Sequence, residues 1–149
     1  MHQFHFGLET LLRIRRRQLE QAQEEFVRQQ QAVIRCESEL ERQHADQAHL
    51  EEEVRASEGR EVEVARARNY REYGRRLAAR LLETQERLSA AKAELEKRRL
   101  QWMEAQQTVK TLEALRERRY TEYLKEARRE EQNWLDEVAL AFRKALPKH

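Results

Sequence analysis

The sequence predicts an all-α protein, a long antiparallel two-helix coiled coil whose second helix is longer than its first. The 149 residues are 39% charged and 39% hydrophobic, with only three glycines and one proline to form loops. Apolar residues recur at heptad spacing along two long stretches, a regularity that disordered chains do not keep. A short connection separates the two stretches, and long helices joined in this way pack antiparallel.

The first stretch predicts a helix over about residues 7–56. Gly7 suits the N-cap position, and Glu9 lies at the positive end of the helix dipole. In steps of seven, one line is apolar at six of seven places: Leu12, Leu19, Phe26, Val33, Leu40, Gln47 and Val54. The interleaved line is mixed: Leu8, Arg15, Ala22, Gln29, Cys36, Gln43 and Leu50. Such a narrow apolar seam must lie against another helix.

The connection is expected over about residues 57–75. The Ser57–Gly59 segment is the first break signal and Gly74 the second. Between them, residues 61–64 alternate Glu and Val, which would suit a strand. A lone strand has nothing to pair with, so a short helix or helical turn is favoured.

The second long helix is expected over about residues 76–146, with Pro147 ending it. One heptad line reads Leu81, Leu88, Leu95, Trp102, Val109, Arg116 and Tyr123, and its partner line Thr84, Ala91, Arg98, Ala105, Leu112 and Arg119. Near Arg116 the register shifts to a displaced pattern through Tyr120, Leu124 and Ala127, a stutter in the coiled coil.

The expected reversal near residue 66 leaves the end of the second helix without a partner. It would place Phe26 near Gln106 and Leu12 near Tyr120, and residues 126–146 would then extend past the first helix. This overhang carries Trp134, Leu135, Val138, Leu140 and Phe142. An unpartnered apolar stripe of this kind indicates a binding site for another protein.

Charge is balanced overall but zoned along the chain. The formal net charge of +2 excludes a basic nucleic-acid footprint spread over the whole protein. Residues 37–58 contain eight acidic and two basic residues, whereas residues 60–80 contain seven arginines and three glutamates. This arginine-rich tip, which includes Tyr70 and Tyr73, leaves three interpretations open: a nucleic-acid patch, a docking surface for an acidic protein, or a solvated helix turn.

No catalytic constellation is recognisable, and no enzyme activity, cofactor or metal is expected. Cys36, the only cysteine, falls on the seam and suits a buried structural thiol in a reducing compartment. His44 and His49 are five residues apart and point to different sides of a helix. The chain lacks a phosphate-binding glycine loop, an apolar run of membrane-spanning length and a secretory signal.

Two terminal motifs resemble the FliJ family of flagellar export proteins. Residues 4–15 follow the pattern F-x-F-x-L-E-x-L-L-x-x-R, and residues 129–139 resemble R-x-E-x-x-x-L-D-E-x-A. Length and helical architecture fit the family along the whole chain. The resemblance implies a soluble cytoplasmic coiled coil of the type III export apparatus, peripherally associated with the inner membrane and similar to the gamma subunit stalk of rotary ATP synthases.

The resemblance also implies partners. These are the hexameric export ATPase FliI, whose assembly and activity such proteins promote, the export gate protein FlhA, and the escort chaperones of export substrates. Neither nucleic acid binding nor direct membrane insertion is expected. The equivalent stalk of a virulence type III secretion system and a generic coiled-coil scaffold or nucleic-acid-binding hairpin are the alternatives.

By the same resemblance, both chain ends would bind the ATPase, and a pair of residues near the tip would bind the gate. The implied ATPase-binding residues are Phe6, Leu8, Leu11, Leu12, Arg13, Arg15, Trp134, Leu135, Asp136 and Glu137. The implied gate-binding residues are Tyr70, Tyr73 and Leu77, of which Tyr73 and Leu77 have the family's spacing of four between an aromatic residue and a leucine.

Overall fold

The computed structural model describes residues 2–58 and 64–146, and within them it contains two α-helices and no strand. Helix α1 spans Glu9–Ser57 (49 residues), and helix α2 spans Val64–Ala145 (82 residues). The two helices pack against each other as a helical hairpin, which confirms the predicted fold class and the greater length of the second helix. The chain divides into two compact units: unit 1, Met1–Leu19 with Glu104–His149, and unit 2, Glu20–Met103.

Helix α2 begins at Val64, twelve residues before the predicted start, and passes through Gly74 without a break. The expected second break at Gly74 is therefore wrong. A single glycine costs a helix only about 1 kcal/mol, and the flanking alanines, arginines and leucines are strong helix formers. Burial of Leu77 and Leu81 also fixes this part of α2. The choice between strand and turn at residues 61–63 falls outside the described residues, as does Pro147.

Unit 2 has the predicted heptad seam, but in a different register from the predicted one. Phe26 stacks on Trp102 with ring centroids 5.1 Å apart, instead of lying beside Gln106. Leu50 approaches Gly74, where an added Cβ would lie 3.5 Å from the leucine Cδ2 atom. The partner observed for Phe26 therefore lies four residues earlier on α2 than the expected one. The buried side chains of this unit are Val33, Leu50, Leu77, Leu81 and Thr84.

Unit 1 has the most aromatic core of the described structure. Phe6, Leu12 and Val109 are buried together, and five partly buried side chains pack against them: Phe4, Leu8, Leu19, Leu112 and Leu115. Leu12 packs with Val109 rather than beside Tyr120, so the predicted register is also wrong here. Two ion pairs join the helices around this core: Arg16 to Glu113 at 3.2 Å, and Arg116 to Glu9 at 2.9 Å.

Candidate partner-docking surfaces

The last part of α2 carries a stripe of exposed apolar side chains in unit 1. Every residue from Arg128 to Leu146 is exposed, whereas Ala127 is buried. The exposed fractions are 62% for Trp134, 47% for Leu135, 43% for Val138 and 69% for Phe142. We call these four residues the terminal stripe. Its exposure confirms the sequence-based expectation that residues 126–146 include an apolar segment without an intramolecular partner.

The terminal stripe occupies one face of α2. Trp134, Val138 and Phe142 are spaced by four residues, so they follow one another along the helix surface, with Leu135 beside them. Charges of both signs flank the stripe, with Glu130 and Glu137 on one side and Arg128 on the other. The Gln132 amide donates a hydrogen bond of 3.1 Å to Asp136, so that side chain is oriented along the helix surface. The result is an apolar strip with charged side chains on both sides, an arrangement typical of helix-in-groove recognition.

The stripe is left free because α1 starts too late to cover it. Helix α1 begins at Glu9, which pairs with Arg116 on α2. The segment before α1 continues along α2 only a short distance, and the Tyr123 hydroxyl donates a hydrogen bond to the His2 carbonyl oxygen. Among the described residues, no apolar side chain beyond Ala127 is buried.

An aromatic cluster anchors this N-terminal segment, and the heptad pattern did not reveal it. The Phe4 ring lies 5.1 Å from the Tyr120 ring and 5.5 Å from the Tyr123 ring, measured between centroids. The Arg116 guanidinium lies 5.7 Å from the Phe4 centroid, and the Arg119 guanidinium 5.6 Å from that of Phe6. Cation–π and edge-on aromatic contacts of this kind each contribute about 0.5–1.5 kcal/mol. The only sequence signals were the F-x-F motif and two tyrosines three residues apart.

The α1 side of the predicted ATPase-binding set is divided by burial. Phe6 and Leu12 are 3% and 0% exposed, so they support the core and have no surface left for a partner. Leu8 is half-buried, whereas Leu11, Arg13 and Arg15 are exposed. Leu11 and Arg15 line a shallow groove on unit 1 with Glu104, Gln107, Thr108, Thr111 and Leu112.

The structure does not bring the two halves of that predicted set together. Leu12 packs at the level of Val109, and Trp134 lies 25 residues farther along α2. At 1.5 Å per residue this separation is about 37 Å. The groove beside Leu11 and the terminal stripe are therefore two separate surfaces of unit 1, and the aromatic cluster lies between them.

The predicted gate-binding residues lie in unit 2, where they differ in exposure. Tyr73 is 43% exposed and Tyr70 half-buried, whereas Leu77 is 2% exposed. A spacing of four places Tyr73 and Leu77 near each other on α2, but only the tyrosine presents a usable surface. Around Tyr73, all six arginines of residues 64–80 are exposed, and Glu72 is the one carboxylate in that range.

Within residues 2–58 and 64–146, no group of three metal-ligating side chains converges. Cys36 is a free, half-buried thiol on the seam. The pKa of Glu96 is lowered because the exposed Arg99 guanidinium donates hydrogen bonds to its carboxylate. Over the same described ranges, neither helix contains an apolar stretch that could cross a bilayer.

The fold places the chain in the class of all-helical proteins built as a helical hairpin. Comparison with protein-family models gives the family: residues 4–145 match the family described as flagellar FliJ protein. The chain belongs to the FliJ family and has a role related to flagellar export. No curated protein and no solved structure matches the chain in the corresponding comparisons.

Proposed function

We propose that this protein is a stalk-like, non-catalytic component of the flagellar export apparatus that binds the export ATPase FliI and promotes its assembly and activity. The terminal stripe is the observation that carries this proposal. Four large apolar side chains on one helix face, each 43–69% exposed, have an energetic reason to be covered. Covering them would be favourable by about 25 cal/mol for each Å² of apolar surface removed from water.

The likeness of the family to the gamma subunit of rotary ATP synthases supports the choice of an ATPase ring as the partner. A single helix with an apolar strip flanked by charged side chains would fit a groove between subunits. Leu11, Arg13 and Arg15 form a second exposed surface of unit 1. They would contact the same ATPase ring at a different level along its central pore. Phe6 and Leu12 would act indirectly, by holding α1 against α2.

A second contact, with the export gate protein FlhA, is assigned to unit 2. Tyr73 is the exposed member of the family's aromatic and leucine pair, and Tyr70 borders it. Leu77 is buried, so it would hold this part of α2 in place rather than contact the gate protein. Contact with the escort chaperones of export substrates belongs to the same proposal and rests on family membership alone. The family match favours a flagellar system over a virulence secretion system.

The ATPase proposal is tested with the purified protein and its cognate export ATPase. We expect the wild-type chain to raise ATP hydrolysis and to promote ring assembly. The double variant Trp134→Ala with Phe142→Ala should lose most of this stimulation and weaken binding by about tenfold or more, because it removes the two most exposed aromatic anchors. Circular dichroism should show unchanged helix content, since both side chains are exposed.

The matched control is Leu100→Ala with Met103→Ala. These residues are 53% and 50% exposed but lie in unit 2, away from the terminal stripe. This control should stimulate the ATPase like the wild type. Equal loss in both double variants, or no stimulation by the wild type, would contradict the proposal. A fall in helix content in the stripe variant alone would mean that Trp134 and Phe142 stabilise the fold.

A further inference from the structure

Three arginines of unit 2 form a continuous basic strip on α2. Arg68, Arg71 and Arg75 are exposed, and their spacing of three and four residues places them on one side of the helix. Continuing the same line by seven residues from Arg75 reaches Leu82, which is 58% exposed. We call these four residues the arginine face. The other arginines of this segment, Arg66, Arg76 and Arg80, follow a different line around α2.

The arginine face forms no ion pair among the described residues, and Glu72 is the one carboxylate on α2 close to its three arginines in sequence. Among residues 2–58 and 64–146, none of its three guanidinium groups lies within 4.0 Å of a carboxylate, although other arginines of unit 2 form such pairs. The first turn of α2 contains no acidic residue. Like charges this close destabilise a helix slightly, and an anionic partner would relieve that cost.

The strip combines guanidinium groups with an exposed apolar side chain, Leu82, a combination that suits an acidic polypeptide. All its cations are arginines, and the first 91 residues contain no lysine. The planar guanidinium fork matches a carboxylate with two parallel hydrogen bonds. Leu82 adds an apolar contact at the end of the charged strip, which a polypeptide side chain can fill.

We propose that the arginine face binds a short acidic polypeptide segment containing a hydrophobic residue. The strip from Arg68 to Leu82 is about 21 Å long at 1.5 Å per residue. An extended chain covers that length in about six residues. This binding does not depend on the proposed ATPase contact, which uses residues of unit 1. It is also separate from the proposed gate contact, because Tyr73 lies two residues from Arg71 and Arg75 and so on another side of α2.

The test uses the full-length protein and a fluorescent peptide of five glutamates followed by one leucine, with anisotropy as the readout. The wild type should bind this peptide and not the analogue in which glutamine replaces each glutamate. The triple variant Arg68→Glu, Arg71→Glu, Arg75→Glu should lose about tenfold or more in affinity, since it replaces three attractions with repulsions. Circular dichroism checks that each variant keeps its helix content.

The matched control carries the same change in net charge on the other line: Arg66→Glu, Arg76→Glu and Arg80→Glu. It should lose less than about threefold, because its charges act only through screened, long-range attraction. Leu82→Ala should weaken binding of the peptide with leucine but not of a peptide ending in glycine. Equal losses in the two triple variants, or binding of the glutamine peptide, would overturn the proposal.

Two further binding measurements distinguish an acidic polypeptide from other anionic partners. A 20-base-pair DNA duplex and phosphatidylserine vesicles are compared with the peptide in the same buffer. Weaker binding of both than of the peptide supports the assignment. Tighter binding of DNA with a steep salt dependence would overturn it in favour of a nucleic-acid surface, and tighter binding of vesicles would overturn it in favour of a lipid surface.

Discussion

Unit 1 and unit 2 are both built from antiparallel segments of α1 and α2, but they differ in what fills the space between the helices. In unit 1, Phe6, Leu12 and Val109 form a buried apolar cluster that an aromatic cluster extends. In unit 2, polar side chains share the seam with apolar ones. Thr84 is completely buried, and the Gln29 amide donates a 3.1 Å hydrogen bond to the Ala91 carbonyl oxygen.

The difference shows how a heptad repeat can serve two purposes. Apolar side chains give association energy but little selectivity, whereas polar seam positions fix which residues face each other at a cost in stability. Gln43 illustrates the cost, because its side-chain oxygen is buried without a hydrogen-bond partner in the described structure. In unit 1, apolar packing can therefore hold α2 firmly where its exposed last segment begins. In unit 2, the polar seam positions select which residues of α1 and α2 face each other.

The largest expected effect is the loss of the unit 1 core through Leu12→Ala. Leu12 is 0% exposed, so the substitution removes a buried side chain and leaves a cavity in a close-packed cluster. We expect the free energy of unfolding to fall by about 2–5 kcal/mol. Chemical denaturation followed by circular dichroism measures this change.

The control for this prediction is Leu100→Ala, which removes the same atoms from a side chain that is 53% exposed. Its effect should stay within about 0.5 kcal/mol. If both variants lose the same stability, the contrast between a packed unit 1 core and an exposed unit 2 surface is wrong.

A smaller effect of opposite sign is expected for Gln43→Leu in unit 2. The substitution replaces a buried, unpaired acceptor with an apolar side chain on the seam, and should raise the free energy of unfolding by about 1 kcal/mol. Gln30→Leu, at an exposed position of the same helix, serves as the control and should change little. A destabilised Gln43→Leu variant would mean that the glutamine makes a stabilising interaction of its own.

The sequence was sufficient to predict the two seams and the free stripe, because both depend on local periodicity. Val33, Leu50, Leu81 and Val109 all lie on predicted heptad lines and are all buried. The register was not predictable in the same way. Sliding one helix past the other by a heptad keeps every apolar line facing inward, so only specific pairs such as Phe26 with Trp102 select the observed alignment.

The other differences between the sequence-based predictions and the structure also have physical causes. Gly74 was expected to end a helix, but one glycine is a weak break when its neighbours favour helix and its partner Leu50 packs against it. The segment before α1 has no periodicity, so its packing on Tyr120 and Tyr123 could not be derived from a repeat. Burial of Phe6, Leu12 and Leu77 likewise depends on tertiary contacts, so the sequence did not show that these three implied contact residues are buried.

The central claim is that the terminal stripe is covered by the export ATPase. Hydrogen–deuterium exchange of the protein, measured alone and with its cognate ATPase, tests this most directly. In the free protein, amides of residues 128–146 should exchange faster than those of residues 105–115, because that part of α2 has no packing partner. Adding the ATPase should slow exchange in residues 128–146. Unchanged exchange there, with the ATPase bound and protection confined to other residues, would contradict the account.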